Sequence, residues 1–145
     1  MKKVFLACFL AFASAGAVSA QTVQTTETKA ANPAKAPKFK FAEEVHDFGS
    51  VKEGPQAEHV FAFKNTGKSP LIIQNVSASC GCTTPEWSKE PIAPGKSGKI
   101  TVRYNTQGRV GPIDKAVYIQ SNALLPEGKG DRYELKIKGT VVPAN

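Results

Sequence analysis

Apolar and polar side chains alternate with a period of two residues over most of the chain after Lys38. The segment Ile-Thr-Val-Arg-Tyr at 100–104 is a clear example, and Tyr-Glu-Leu-Lys-Ile at 133–137 repeats it. Successive side chains of a β-strand point to opposite faces of a sheet, so this alternation is typical of half-buried strands. No sustained helical spacing of apolar residues follows residue 20. The pattern therefore predicts an all-β domain.

Turn residues divide this part of the chain into about seven short strands. Such strands, with turn signals about every eight to twelve residues, predict an immunoglobulin-like β-sandwich. A parallel α/β fold is excluded because no helix is available to connect parallel strands. A closed barrel is the competing architecture. Residues 83–98 are predicted to be irregular, and the predicted strands begin near Phe39, Val45, His59, Leu71, Ile100, Ile113 and Tyr133.

The first twenty residues have the composition of a secretory signal peptide. Lys2 and Lys3 precede an apolar run at 4–13, and Val-Ser-Ala at 18–20 forms a cleavage site. The run is about ten residues, too short for the roughly twenty that cross a bilayer as a helix. Lipidation at Cys8 is the alternative, but cleavage there would leave almost no apolar segment for export. We therefore expect a periplasmic, cell-surface or secreted protein without a transmembrane segment.

The chain that remains after cleavage divides into a tether and one domain. Residues 21–37 contain no aromatic residue, so burial cannot offset the entropy of ordering them. We predict a disordered linker at 21–37 and the β-sandwich at 38–145, a length that suits one hydrophobic core.

A modest positive charge is spread over the chain. Its 19 Lys and Arg against 12 Asp and Glu give a net charge of +7, and loss of Lys2 and Lys3 lowers it to +5. Many of the basic residues occupy alternate strand positions and are not clustered with aromatic residues, which argues against a nucleic-acid partner. The expected partner is an unknown protein or an anionic envelope polymer.

The segment Ser-Cys-Gly-Cys-Thr at 79–83 is the most distinctive motif of the chain. On an extended strand Cys80 and Cys82 would share a face, with Cα atoms about 6.5 Å apart, near the upper limit for a disulfide. Gly81 would ease the bend that closes the bridge because it has no Cβ and can adopt a positive φ. An oxidising compartment would favour closure.

Three interpretations of Cys80 and Cys82 remain open. The first is a passive disulfide or a pair of structural thiols, because so short a bridge stabilises a fold by at most about 1.6 kcal/mol. The second is thiol exchange, because strained, exposed disulfides are easily reduced. The third is a soft-metal site for Cu(I) or Zn(II). In that case only His46 and His59 offer strong additional ligands, at no recognisable spacing. No cofactor is predicted.

The other candidate residues lie outside this motif or at its end. Trp87 lies in a predicted loop with a proline, where an exposed indole, together with Thr83, could contact a partner. The alternative is a ring folded over the end of the sandwich. Neighbouring strand residues face opposite ways, so we interpret His46 and Asp47 as a surface pair and not as a catalytic base with its orienting acid.

Several segments together carry a resemblance to a known family. The specific one is Cys-Gly-Cys-Thr after an aliphatic strand, and the others are residues 46–49, 59–67, 70–73 and 94–95. With them the chain resembles a bacterial family of exported domains of unknown function, number fifteen seventy-three, over about residues 39–142. The resemblance implies an immunoglobulin-like sandwich similar to major-sperm-protein and cilia-associated domains, usually secreted or periplasmic. It implies no activity.

These observations predict a non-enzymatic binding module. A sandwich offers loops and edge strands to partners, and the sequence contains no recognisable catalytic constellation. The alternative function is a thiol redox or soft-metal protein that uses Cys80 and Cys82.

Overall fold

The structure is a computed structural model that describes residues 34–127 and 130–144, which form two four-stranded β-sheets. The prediction of a β-sandwich is confirmed, and the strands do not close into a barrel. Within the described residues no helix is long and apolar enough to cross a membrane. The strands are β1 (Phe39–Phe41), β2 (Val45–Lys52), β3 (Gln56–Asn65), β4 (Ile73–Ala78), β5 (Thr83–Trp87), β6 (Ser97–Asn105), β7 (Gly111–Ser121) and β8 (Tyr133–Val142).

The first sheet has the strand order β1-β3-β6-β5, and the second has the order β2-β8-β7-β4. All neighbouring strands are antiparallel except β2 and β8, which are parallel, with Val45 opposite Lys136. Parallel neighbours need a long connection between them. Here the chain between β2 and β8 supplies that connection by building β3, β5 and β6 of the first sheet and β4 and β7 of the second.

The core lies between the two sheets and is built from the inward-facing set of each alternating strand. Strand β8 shows this pattern directly, because Tyr133, Leu135 and Ile137 are buried. Val117 and Ile119, predicted as interior residues of β7, are fully buried. The largest fully buried hydrophobic side chains are Phe61, Leu71, Ile100, Val102, Val117, Ile119, Leu135, Ile137 and Val141.

Residues 83–87 form the strand β5, although the sequence predicted an irregular segment there. The segment Thr-Thr-Pro-Glu-Trp pairs with β6, with Pro85 opposite Val102. Proline removes a backbone donor and argues against a central strand, but an edge strand tolerates it. β5 is at the edge of the first sheet, and with it the described residues form eight strands where about seven were expected.

The described chain begins within the predicted linker. The predicted signal peptide, residues 1–20, and linker residues 21–33 lie outside the described residues. Ala36 and Pro37 are buried, and the carbonyl of Pro37 accepts a hydrogen bond from the Leu124 amide at 2.8 Å. Gly67 packs so closely against them that a Cβ at this position would overlap the Ala36 carbonyl oxygen. The last residues before β1 therefore pack against the sandwich.

Candidate functional site

Cys80 and Cys82 form a disulfide in the turn that carries the chain from β4 in the second sheet to β5 in the first. Their Cα atoms are 5.3 Å apart, inside the usual range for disulfides. This distance is shorter than the extended-strand expectation because β4 has already ended, and the Thr83 amide donates back to the Cys80 carbonyl at 3.3 Å. Gly81 does not adopt a positive φ, so the turn itself brings the cysteines together.

The interior of the domain covers one side of this bridge. Cys82 is only 8% exposed and belongs to the hydrophobic core, and Cys80 packs against that core while partly exposed. The hydroxyl oxygen of Thr83 lies 3.6 Å from the Cys80 sulfur and 3.9 Å from the Cys82 sulfur. Thr83 is itself buried. The structure therefore holds the Thr83 side chain against the disulfide. Contact between Thr83 and a partner stays a prediction.

The structure brings no third metal ligand to the cysteines from residues 34–127 and 130–144. The group of potential metal ligands found in this part of the chain consists of Glu43, His46 and His59 and includes neither cysteine. The two histidines, considered in the sequence as additional ligands for Cys80 and Cys82, belong instead to this separate group.

His46 in β2 and His59 in β3 stack on each other although their strands belong to different sheets. The ring centroids are 3.5 Å apart, and the ring planes differ by 9°. One carboxylate oxygen of Glu43 lies 3.2 Å from His46 Nδ1, and the other lies 3.5 Å from His59 Nε2. Burial and the neighbouring His46 lower the pKa of His59, while the Glu43 charge acts in the opposite direction.

Asp47 is directed away from this histidine pair. Its carboxylate accepts a hydrogen bond from the Gly49 amide at 2.8 Å, which fits the expectation that adjacent strand residues face opposite ways. His46 thus finds its acidic neighbour in Glu43, three residues earlier in the chain. The sequence carries no local signal for the pair, because β2 and β3 belong to different sheets and do not pair across the turn that joins them.

Trp87 ends β5 and packs its ring against the edge of the core. Its indole Nε1 is buried without a hydrogen-bond partner among the described residues, and the ammonium of Lys89 lies 3.1 Å from the ring centroid. Contact between Trp87 and a partner stays a prediction.

A shallow groove crosses the outer face of the first sheet next to Trp87. It has a volume of about 470 Å³. Arg103 spans it, with Nε 2.5 Å from a Glu58 oxygen and a terminal nitrogen 2.7 Å from a Glu86 oxygen. The groove is lined by Glu58, Val60, Glu86, Trp87, Ser88, Lys99, Thr101 and Arg103.

Residues 39–141 match the sequence pattern of one family, described as a protein of unknown function, DUF1573. This match covers more than half of the chain. The chain belongs to the DUF1573 family. No curated protein matches it closely enough to indicate a relationship.

Solved structures share the fold of this DUF1573 domain at low sequence identity. A protein of unknown function from Porphyromonas gingivalis W83 is 18% identical with a TM-score of 0.64, and the match covers 79% of this chain and 51% of that one. The PapD-like domain 7 of human CEP192 is 10% identical with a TM-score of 0.60, covering 79% and 90%. The secreted serine protease VesC from Vibrio cholerae is 16% identical with a TM-score of 0.55, covering 74% and 24%.

These likenesses establish the fold of the DUF1573 domain and nothing about its chemistry. The chain spans about half the length of the Porphyromonas protein and a quarter of the protease. Within the domain, the predicted residues Cys80, Cys82 and Thr83 come together at one turn. Trp87 lies beyond them at the other end of β5, and the cluster of Glu43 with the two histidines was not predicted.

Proposed function

We propose that this domain is a non-enzymatic binding module that acts outside the cytoplasm and recognises a protein through the groove on the outer face of its first sheet. The observation that carries the proposal is the exposure of Val60, 43% accessible in the middle of β3 and surrounded by charged side chains. An apolar centre within a polar rim is the usual anatomy of a protein interface.

The charges of the groove favour a protein over an anionic envelope polymer. Glu58 and Glu86 balance Lys99 and Arg103, so a polyanion would meet no net positive potential there. A protein surface can instead pair its own charges with both signs around Val60.

The edges of the sheets favour binding at a face over addition of a strand. Pro85 removes a donor from the edge strand β5, and β1 has only three residues. The register of β2 is irregular between Asp47 and Ser50, and that of β4 is irregular between Ile73 and Asn75. Such features protect edges against pairing with other strands.

The same charge change at two exposed valines tests the proposal. Val60→Glu places a carboxylate in the groove, and Val110→Glu, at a 55% exposed position in the loop before β7, is the matched control. We expect immobilised wild-type protein and Val110→Glu to retain the same protein from an envelope extract of the source bacterium. Val60→Glu should retain at least tenfold less. Equal retention by both variants, or chemical alteration of the retained protein, would contradict the proposal.

Export is tested separately by the mass of the native protein. Signal-peptide cleavage after Ala20 predicts the intact mass of a chain that begins at Gln21. A diacylated chain that begins at Cys8, or an uncleaved chain in the cytoplasm, would contradict this part of the proposal.

A further inference from the structure

The only two histidines of the chain, His46 and His59, meet between the two sheets, together with the carboxylate of Glu43. Strand β1 pairs with the end of β3, at residues 63–65, and leaves the stretch that holds His59 free of a β1 partner. Strand β2, which carries His46, is the edge of the other sheet. Both histidines therefore lie on strand edges that have no neighbouring strand among the described residues.

We propose that Glu43, His46 and His59 form a binding site for a divalent transition-metal ion such as Zn(II). Two imidazole nitrogens and one carboxylate oxygen are a recurring protein ligand set for such ions, with the remaining coordination positions open to water or another ligand. Imidazole and carboxylate ligands also distinguish this site from the Cu(I) or Zn(II) site considered for Cys80 and Cys82.

The separations of the ligand atoms fit a single ion. Ligand atoms about 2.1 Å from one ion lie about 3.0 Å apart at a right angle and about 3.4 Å apart at a tetrahedral angle. The Glu43 oxygens lie 3.2 Å from His46 Nδ1 and 3.5 Å from His59 Nε2. One ligand atom from each of the three residues can be chosen so that all lie within 4.8 Å of one another. Rotation of these side chains, without movement of the strands that carry them, would bring all three to one ion.

One imidazole ring must turn for the site to form. A metal ion lies close to the plane of each imidazole that binds it, and the two ring planes are now parallel at 3.5 Å. Phe48 packs edge-on against His46 with ring centroids 4.7 Å apart, and Phe61 packs edge-on against His59 with ring centroids 4.6 Å apart. The side chains of His46 and Glu43 are 25% and 44% exposed, so the solvent side leaves room for this rotation.

An ion bound here would connect β2 of the second sheet to β3 of the first. Such a link would stabilise the folded domain by mass action, because the unfolded chain does not hold the three ligands together. We therefore expect Zn(II) to raise the thermal unfolding midpoint of the protein.

Calorimetric titration of the full chain with zinc chloride tests the site. We expect one equivalent of Zn(II) to bind, with affinity lowered at least tenfold in His46→Gln, His59→Gln and Glu43→Gln. The Cys80→Ser/Cys82→Ser variant and Asp47→Asn should bind as the wild type does. Absence of binding by the wild type would overturn the proposal, as would binding that survives the histidine changes and is lost with the cysteines.

A second measurement does not depend on the variants. The ring nitrogen signals of both histidines in the wild-type protein, followed by NMR during zinc addition, should shift together and saturate at one equivalent. If Zn(II) binds while either ring remains unperturbed, the shared site is wrong.

Discussion

The side-chain amide of Asn65 donates a hydrogen bond to the carbonyl oxygen of Ile92, 2.9 Å away and 27 residues later in the chain. The same amide donates to the Ser69 carbonyl at 2.8 Å, and its oxygen accepts from the backbone amides of Gly67 and Lys38. Asn65 is completely buried. One side chain thus connects the segment before β1, the turn after β3 and the loop before β6.

Replacing Asn65 should destabilise the domain strongly. Asn65→Ala removes four hydrogen bonds at a fully buried position and leaves the Ile92 carbonyl with the Leu71 amide as its remaining donor, which should lower the free energy of unfolding by about 2 to 4 kcal/mol. Asn75→Ala, at an exposed position of β4, is the matched control and should change it by less than about 0.5 kcal/mol. Urea denaturation measures both variants. Similar values for the two would show that the Asn65 network does not carry this stability.

Two glycines should differ sharply in their tolerance of a methyl group. At Gly67 a Cβ would overlap the Ala36 carbonyl oxygen and come within 2.5 Å of the Pro37 Cα, so Gly67→Ala must displace the backbone. At Gly81 a Cβ meets no atom within 4 Å, and φ is not positive. We expect Gly67→Ala to lower the thermal unfolding midpoint by several degrees and Gly81→Ala to leave it nearly unchanged. The reverse order would contradict the packing of residues 36–37 on this turn.

Loss of the disulfide should have only a small effect on stability. The bridge closes so short a loop that its entropic contribution is at most about 1.6 kcal/mol. A Cys80→Ala/Cys82→Ala variant, which places no hydroxyl in the core at Cys82, should therefore stay folded, with a free energy of unfolding reduced by about this amount in urea denaturation. A variant that fails to fold would show that the bridge organises the turn from β4 to β5. Thiol turnover by the wild type that disappears in this variant would support the redox alternative.

Stability at alkaline pH should depend on Tyr133. Its hydroxyl donates a hydrogen bond to the Glu44 carboxylate. Burial raises the pKa of Tyr133 above its usual value near 10, and the interaction with Glu44 raises it further. The folded protein holds this proton more tightly than the unfolded chain does. The stabilisation is therefore fully present below about pH 10 and is lost as the pH rises further.

The comparison of wild type with Tyr133→Phe isolates this effect. Above about pH 10 the free energy of unfolding of the wild type should fall more steeply than that of the variant, by up to about 1.4 kcal/mol per pH unit. Chemical denaturation between pH 8 and 11.5 measures both slopes. Parallel slopes would mean that Tyr133 titrates equally in the folded and unfolded states.

The sequence predicted the strands well where side chains alternate and poorly where local chemistry conflicts with the final structure. Alternation identified the interior residues Val117 and Ile119 because one face of β7 is buried. It missed β5 because Thr-Thr-Pro-Glu-Trp contains a proline and does not alternate apolar with polar residues, and only pairing with β6 makes this segment a strand. The division of strands between the two sheets depends on contacts between distant segments, which no local pattern records.

The candidate site was predictable only in part for the same reason. Proximity of Cys80 and Cys82 follows from their spacing, but the sequence assigned the bend to the backbone freedom of Gly81, whereas the end of β4 produces it. The stacking of His46 on His59 joins strands from different sheets, and this contact depends on the assembled sandwich. The burial of Asn65 likewise depends on a distant segment, because the loop at Ile92 closes over it.

The position of β8 has a consequence for how the molecule is made. This strand lies in the middle of the second sheet, between β2 and β7, although it is the last of the eight to leave the ribosome. Until its residues emerge, β2 has no neighbour and β7 has only β4. The second sheet must therefore assemble after translation of Tyr133–Val142, and a nascent chain stalled before that point would expose the apolar faces of both flanking strands to chaperones and proteases.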